Sequence, residues 1–202
     1  VPQDVMVLFF RCRRTIVHIV LAYLQDFMLI RGIFFVGFSL QRESVMKRLR
    51  IYADTSVFGG CFDEEFSRDS LRLFEEINSG NFILILSDTT LRELHGAPAQ
   101  VKEIIANIPM NNLEIIPFSD EIDKLREAYL AAGIVGPPSA DDAEHIACAS
   151  IADVDLIVSW NFRHIVHFEK IKQYQAVNML KGYHIIPIHT PREVVSNEEE
   201  NV

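Results

Sequence analysis

The sequence predicts a three-layer α/β/α fold around a mostly parallel sheet of about five strands. Short, nearly continuous apolar runs rich in Ile, Leu and Val recur from residue 50 onward, the form taken by strands buried on both faces. Amphipathic segments of helical period separate these runs, and that alternation implies right-handed strand–helix–strand crossovers. The ends of several helical segments also carry readable stop and start residues.

Taken in order, the strands are expected at 50–53 (RIYA), 82–86 (FILIL), 113–117 (LEIIP), 155–159 (DLIVS) and 184–188 (HIIPI). Helices are expected at 67–78, 89–94, 98–106, 120–131, 140–152 and 167–181. Asn78-Ser79-Gly80 and Gly133 read as C-terminal stops, while Ser119 and Ser139 read as N-caps. The pair Gly59-Gly60 lacks the G-x-G-x-x-G spacing of a dinucleotide fingerprint and reads as a loop.

Residues 46–192 form a stretch of ordinary domain length with no linker inside it. With 49% hydrophobic and 23% charged residues, the chain can bury a sizeable core and is not a disordered protein. Three cysteines (Cys12, Cys61, Cys148) without C-x-x-C spacing argue against a disulfide framework and a zinc site, and fit a reducing, cytoplasmic setting. The net charge is −9, yet residues 1–45 carry five Arg against three acids, so the remainder holds 14 basic and 25 acidic residues. Such a surface repels nucleic acid unless metal ions and a local basic patch offset it. Residues 193–202, with Glu198, Glu199 and Glu200, read as an acidic flexible tail.

Residues 1–45 are a different kind of sequence, apolar and aromatic, with Arg11, Arg13 and Arg14 ahead of TIVHIVLAYL. Gln25, Asp26 and Arg31 interrupt the run of roughly 20 apolar residues that a membrane span requires. LAYLQDF is a poor signal-peptide cleavage site. Met46, followed by basic residues and then the first strand, has the form of a natural start. The expectation is an N-terminal extension outside the fold, such as an over-long gene start, ahead of the alternatives of a helical arm packing elsewhere and of membrane contact.

Four polar residues sit just past or beside the apolar strands, where side chains from different strands of a parallel sheet converge on one crevice. Asp54 follows IYA, and its ordinary role there is a turn or N-cap. Glu93 lies on the short helix after the second strand, and the competing role is a capping-box glutamate reaching back to Thr90. Asp141 and Asp142 open the apolar segment DDAEHIACASIA, and Ser139 with Asp142 fits an S-x-x-D capping box. A cap needs one acid and two are present. Neighbours on a helix point ~100° apart, so Asp142 is the site candidate and Asp141 a cap or support behind it. Asn161 ends the fourth strand beside Ser159, offering a carbonyl oxygen next to a hydroxyl, or else an Asx turn. Ser56 stands next to Asp54 as a supporting hydroxyl. Trp160 is a base-stacking candidate, although a lone Trp is more often core. Arg163, His164 and Lys170 are phosphate-contact candidates or a solvated helix start. The histidines have no metal-ligand spacing such as H-E-x-x-H and read as surface or satisfied core. Oxygen donors of this kind suit a hard divalent cation, Mg²⁺ or Mn²⁺.

With IYADTSVF, LRELHGAP, DDAEHIACA and VSWNFRH in this order, each after the expected element, the chain resembles PIN-domain ribonucleases, the family that includes VapC-type toxins. The resemblance covers about residues 48–190. It implies that Asp54, Glu93 and Asp142 are acid ligands of one or two Mg²⁺ or Mn²⁺ ions, with Asn161 at a fourth position where many members carry Asp. It also implies RNA as substrate, a small antitoxin protein as partner, and a homodimer. An Asn keeps an oxygen donor and loses a charge, which weakens attraction for a dication. Two other classes stay open: a PIN module that binds RNA or a partner without cutting, and a haloacid-dehalogenase-like phosphatase. The second wants D-x-D, where this chain has Ser56.

Overall fold

A computed structural model describes residues 47–195. The expected extension 1–45 lies outside the described residues, as does the expected tail beyond 195. Five strands, β1 (Leu49–Ala53), β2 (Phe82–Ser87), β3 (Leu113–Ile116), β4 (Leu156–Val158) and β5 (Ile188–His189), form one sheet in the order β3-β2-β1-β4-β5. Every neighbouring pair is parallel. The helices are α1 (Thr55–Gly60), α2 (Ser67–Asn78), α3 (Asp88–His95), α4 (Ala99–Ala106), α5 (Asp120–Ala131), α6 (Ala140–Ile151), α7 (Phe168–Lys181) and α8 (Pro191–Val194), with 3₁₀ turns at Met110–Asn112 and Pro137–Ser139.

The period-two alternation of the strands builds two cores. Ile51, Ala53, Leu84, Leu86, Leu156 and Val158 face a layer with Val57 and Phe58 of α1, Leu73, Phe74 and Ile77 of α2, Leu94 of α3 and Val101 of α4. Tyr52, Ile85 and Ile157 face the other way, onto Ile122, Leu125 and Tyr129 of α5, Ala143, Ile146 and Ala147 of α6 and Tyr174 of α7. The strands are therefore apolar on both faces, which is why they read as continuous apolar runs. Fully burying a large apolar side chain contributes about 1.5–3 kcal/mol, and Ile51, Phe58, Leu73, Ile77, Leu84 and Ile85 are all completely buried.

The expected three-layer α/β/α architecture and the five-stranded parallel sheet are observed. The expected stops at Gly80 and Gly133 are present, both with positive φ, and Ser119 caps α5 by accepting a hydrogen bond from the Ile122 amide. Three local readings need correction. Gly59 and Gly60 are not loop residues but the end of α1, a helix turn formed because Val57 and Phe58 can bury their side chains together. Gly60 is required there by close approach, since a Cβ would lie 2.7 Å from Ser70 Oγ and 2.9 Å from the Trp160 ring. The fifth strand is displaced from 184–188 to Ile188–His189, where Ile188 pairs with Ile157 and His189 with Val158. The tail begins later than 193, because α8 runs through Val194, Glu193 completes a capping box with Thr190, and Val195 is buried. Among the described residues, no helix is long and apolar enough to cross a membrane.

Candidate functional site at the carboxyl edge of the sheet

The chain passes from β1 through β2 to β3 on one side of the sheet, then returns to place β4 on the other side of β1. The strand order thus reverses between β1 and β4, and the carboxyl ends of two such strands bound the crevice where open α/β sheets bind ligands. Asp54 follows β1 and Ser159 and Asn161 follow β4, so this switch point is lined by residues singled out in the sequence.

Asp54 is 3% exposed. One carboxylate oxygen accepts from Ser56 Oγ at 2.6 Å and the other from Ser159 Oγ at 3.0 Å. It occupies the N-cap position of α1 with extended backbone, but its side chain makes no capping bond, so the carboxylate turns toward β4 instead. Burial raises its pKa, opposed by the charge of His145 and the two serine hydroxyls. No Lys or Arg among the described residues pairs with it.

Glu93 does not form the capping box with Thr90, because Ser87 is the N-cap of α3 and accepts from the Thr90 amide. Its Oε2 instead accepts from Thr55 Oγ1 at 2.6 Å and lies 3.2 Å from His145 Nε2. Burial would raise the Glu93 carboxyl, but the His145 and Thr55 hydrogen bonds and the nearby Arg92 outweigh it and hold the pKa below the usual range. Asp142, half-buried in the first turn of α6, accepts from Asn161 Nδ2 at 2.6 Å.

Asn161 thereby takes the Asx-turn role that is the alternative to an oxygen ligand. Its amide oxygen accepts from the His164 backbone amide at 2.9 Å, an Asx-type turn, while its amino group holds Asp142. In this arrangement Asn161 presents its amino group to Asp142 and its oxygen to the His164 amide. The S-x-x-D capping box is also absent: Ser139 makes no capping bond and its hydroxyl lies 3.3 Å from His164 Nε2. Asp141 is exposed and makes no hydrogen bond or ion pair among the described residues.

Ser56 and Ser159 do more than support Asp54. Ser56 Oγ also accepts from the Trp160 amide at 2.8 Å, and Ser159 Oγ accepts from the Asn161 amide at 2.9 Å, so two hydroxyls stitch the end of β4 to the start of α1. Trp160 is only 7% exposed, donates Nε1–H to Ser70 Oγ at 2.8 Å and stacks on Phe66 at 4.5 Å between ring centroids. It belongs to the core and cannot take a base. Arg163 is exposed, and His164 is half-buried and bonded to Lys170 Nζ at 2.8 Å.

His145 was passed over by spacing rules and is the centre of the site. It is 3% exposed on α6, one turn after Asp142. Burial lowers its pKa, but the hydrogen bond to Glu93 and the charges of Asp54, Glu93 and Asp142 outweigh burial and raise it. All three candidate acids therefore act on one imidazole. Its Nδ1 meets the hydroxyl of Tyr52 at 2.8 Å, and that hydroxyl also meets Ser87 Oγ at 2.7 Å and Thr90 Oγ1 at 3.2 Å. The signal in the sequence was the three-residue offset between Asp142 and His145, which puts both on neighbouring parts of one helix face. Among the described residues, no three His, Cys, Asp or Glu side chains are grouped tightly enough to hold a metal ion in this arrangement.

No protein-family model matches the chain, and no curated protein matches it. A search of solved structures returns the crystal structure of DNA-bound VapBC from Salmonella typhimurium, with 17% sequence identity and a TM-score of 0.44, covering 71% of this chain and 98% of that chain.

Proposed function

We propose that this protein is a divalent-metal-dependent endoribonuclease of PIN type that hydrolyses RNA phosphodiesters. One observation carries the reading: at the switch point of the sheet, Asp54 is buried without a cationic side chain bonded to it, and Glu93 and Asp142 share its imidazole neighbour. Buried charges are ordinarily paired or coordinate metals, and an all-oxygen donor set fits Mg²⁺ or Mn²⁺. Asp54, Glu93 and Asp142 would supply the oxygen donors, drawing closer together around an ion than the described arrangement holds them. Bound there, it would neutralise phosphate charge and lower the pKa of a water molecule.

The chain's own residues would do the rest. Ser56 and Ser159 fix the two oxygens of Asp54. Asp142, half-buried where Asp54 is buried, is oriented by Asn161 through one oxygen and is suited to hold the attacking water and receive its proton. His145 holds Glu93 in place. By the same resemblance the protein acts in the cytoplasm as the toxin of a toxin–antitoxin pair, with a small antitoxin protein as partner and a homodimer as working form.

A second reading, an RNA- or partner-binding module without cleavage, is favoured by the Asn161 amide oxygen being spent on the His164 amide. Incubating a mixed RNA pool with the full chain, in Mg²⁺ or Mn²⁺ against EDTA, separates the two. Metal-dependent cleavage that Asp54→Asn reduces by about 10²-fold or more, with the circular dichroism of the parent retained, supports the nuclease. Cleavage by Asp54→Asn at the parent rate refutes the assignment, and no cleavage by the folded parent favours the binding module.

A further inference from the structure

Immediately beyond Asn161 the chain exposes an aromatic ring beside a set of cations. Phe162 is 49% exposed. Its ring is not free to wander, because it packs against Trp160 at 6.1 Å and Phe66 at 6.2 Å, and those two rings stack on each other. Trp160 is anchored in turn by its bond to Ser70. A half-open ring held by a buried aromatic pair presents a flat apolar face at little cost in conformational entropy.

The cations beside it form a local exception to an acidic chain. Arg163 is exposed and makes no hydrogen bond or ion pair among the described residues. Lys170 is tied to His164, the His164 amide to Asn161 and Asn161 to Asp142, so the ammonium is linked to the acidic site through three hydrogen bonds. Burial first, and then the charges of Lys170, Arg163 and His167, hold the His164 imidazole below its usual range against the pull of Asp142. Lys170 is thus fixed beside His164, the residue that Arg163 directly precedes in the chain. The other exposed ring nearby in sequence, Phe168, is 70% exposed with Lys172 Nζ over one face at 3.7 Å from its centroid, and unlike Phe162 it has no aromatic partner among the described residues to hold it.

We propose that Phe162, Arg163 and Lys170 form a subsite for the single-stranded flank of an RNA substrate, with one nucleobase stacked on the Phe162 ring and the adjoining phosphate held by Arg163 and Lys170. The inference deepens the nuclease reading and rests on it for the identity of the strand. Stacking needs an unpaired base and tolerates any of the four, since each has a π-face. The acids Asp63, Glu64 and Glu65, which lead into Phe66, oppose phosphate on that flank, so the backbone leaves the ring toward Arg163. A single ring rimmed by cations suits a base and its phosphate better than a protein partner, which needs contiguous apolar area.

The test is binding of a short single-stranded RNA carrying 2-aminopurine to the full chain in an Asp54→Asn background with Mg²⁺, read by fluorescence anisotropy and by quenching of the stacked base. Phe162→Ala should weaken binding about tenfold and abolish the quench, and Phe162→Trp should restore both. Arg163→Ala and Lys170→Ala should each flatten the salt dependence of binding by about 0.7 in the log–log slope while the quench persists. A fully paired RNA should show no dependence on Phe162. Unchanged RNA affinity and quench in folded Phe162→Ala overturn the subsite, as does an unchanged affinity accompanied by an altered oligomeric state in light scattering, which would assign the ring to a protein contact. Cleavage is scored separately on the parent: a Phe162-dependent quench without parental cleavage refutes the nuclease and keeps the subsite, whereas parental cleavage with a Phe162-independent quench does the reverse.

Discussion

Tyr52 shows how much of this site depends on one hydroxyl. It sits in the middle of the sheet with no exposure, and its oxygen meets Ser87, Thr90 and His145. Glu93 as a carboxylate can only accept, so His145 Nε2 donates to it. The Tyr52 hydroxyl meets the other ring nitrogen and sets the tautomer and ring angle. Tyr52→Phe keeps the packing and deletes the hydroxyl's contacts to His145, Ser87 and Thr90. It should cost about 1–2 kcal/mol of stability, seen as a lower urea midpoint at constant slope. RNA cleavage should fall about tenfold, because partners that orient a ligand carry effects of that size. A Tyr52→Phe enzyme with parental cleavage and a lowered midpoint would make Tyr52 a packing residue only. The network also explains what the sequence concealed. Asp54, Glu93 and Asp142 could be singled out because Asp54 follows β1, Asp142 opens α6 and Glu93 lies on the short helix after β2. His145 was not, since its partners come from β1 and α3, far away in the chain. Asn161 was legible as a strand-end polar group, but whether its oxygen or its amino group faces the acids depends on the His164 amide, which no spacing reveals. For Trp160 the outcome turned on a buried acceptor, Ser70, ninety residues earlier.

At the level of elements, legibility followed burial. Helices α2 and α5 are found at the expected residues because their apolar faces recur with helical period, and their ends are marked by Gly80, Ser119 and Gly133. Helix α1 was missed because TSVFGG is six residues long with two glycines, poor in intrinsic propensity and held by Val57 and Phe58. Strand β5 was misplaced because only two residues pair, too few for alternation to locate. The junction between β1 and β4 is held by a carboxylate. Asp155 Oδ2 accepts from the Arg50 backbone amide at 2.8 Å, and Oδ1 pairs with Lys47 at 3.0 Å. The bond from Arg50 foremost, and then Lys47, hold its carboxyl below the usual carboxylate range despite partial burial. A depressed folded-state value contributes stability that is fully present above the unfolded value of about 3.9 and is lost as pH falls through the folded value. Asp155→Ala should therefore unfold at lower urea than the parent at neutral pH, with a gap that holds down to about pH 4 and narrows below it. A gap that grows on acidification would refute this linkage.

The whole molecule sets an acidic body against a small basic edge. A parallel crevice was predictable from alternation, but the strand order was not, since β1 and β4 are neighbours across about a hundred residues and only their pairing places Asp54 beside Ser159. That pairing also puts Arg163 and Lys170 at the rim of the acids, while the chain as a whole carries −9. Long-range repulsion then works against loose association with RNA, and attraction must come from the few cations at the rim and from any metal held by the acids. Two phosphate contacts predict a weak dependence on monovalent salt, with a log–log slope of about −1.4 for a single strand. Titrating the full chain with single-stranded RNA across a series of KCl concentrations at fixed Mg²⁺ measures it. A slope several times steeper would mean that many more phosphates are neutralised than Arg163 and Lys170 can reach, and would move the main RNA contact away from the carboxyl edge of the sheet. A shallow slope that vanishes in the Arg163→Ala, Lys170→Ala double variant would mean that the acidic body tolerates RNA at one edge alone, and that selectivity for unpaired strands follows from the small size of that edge.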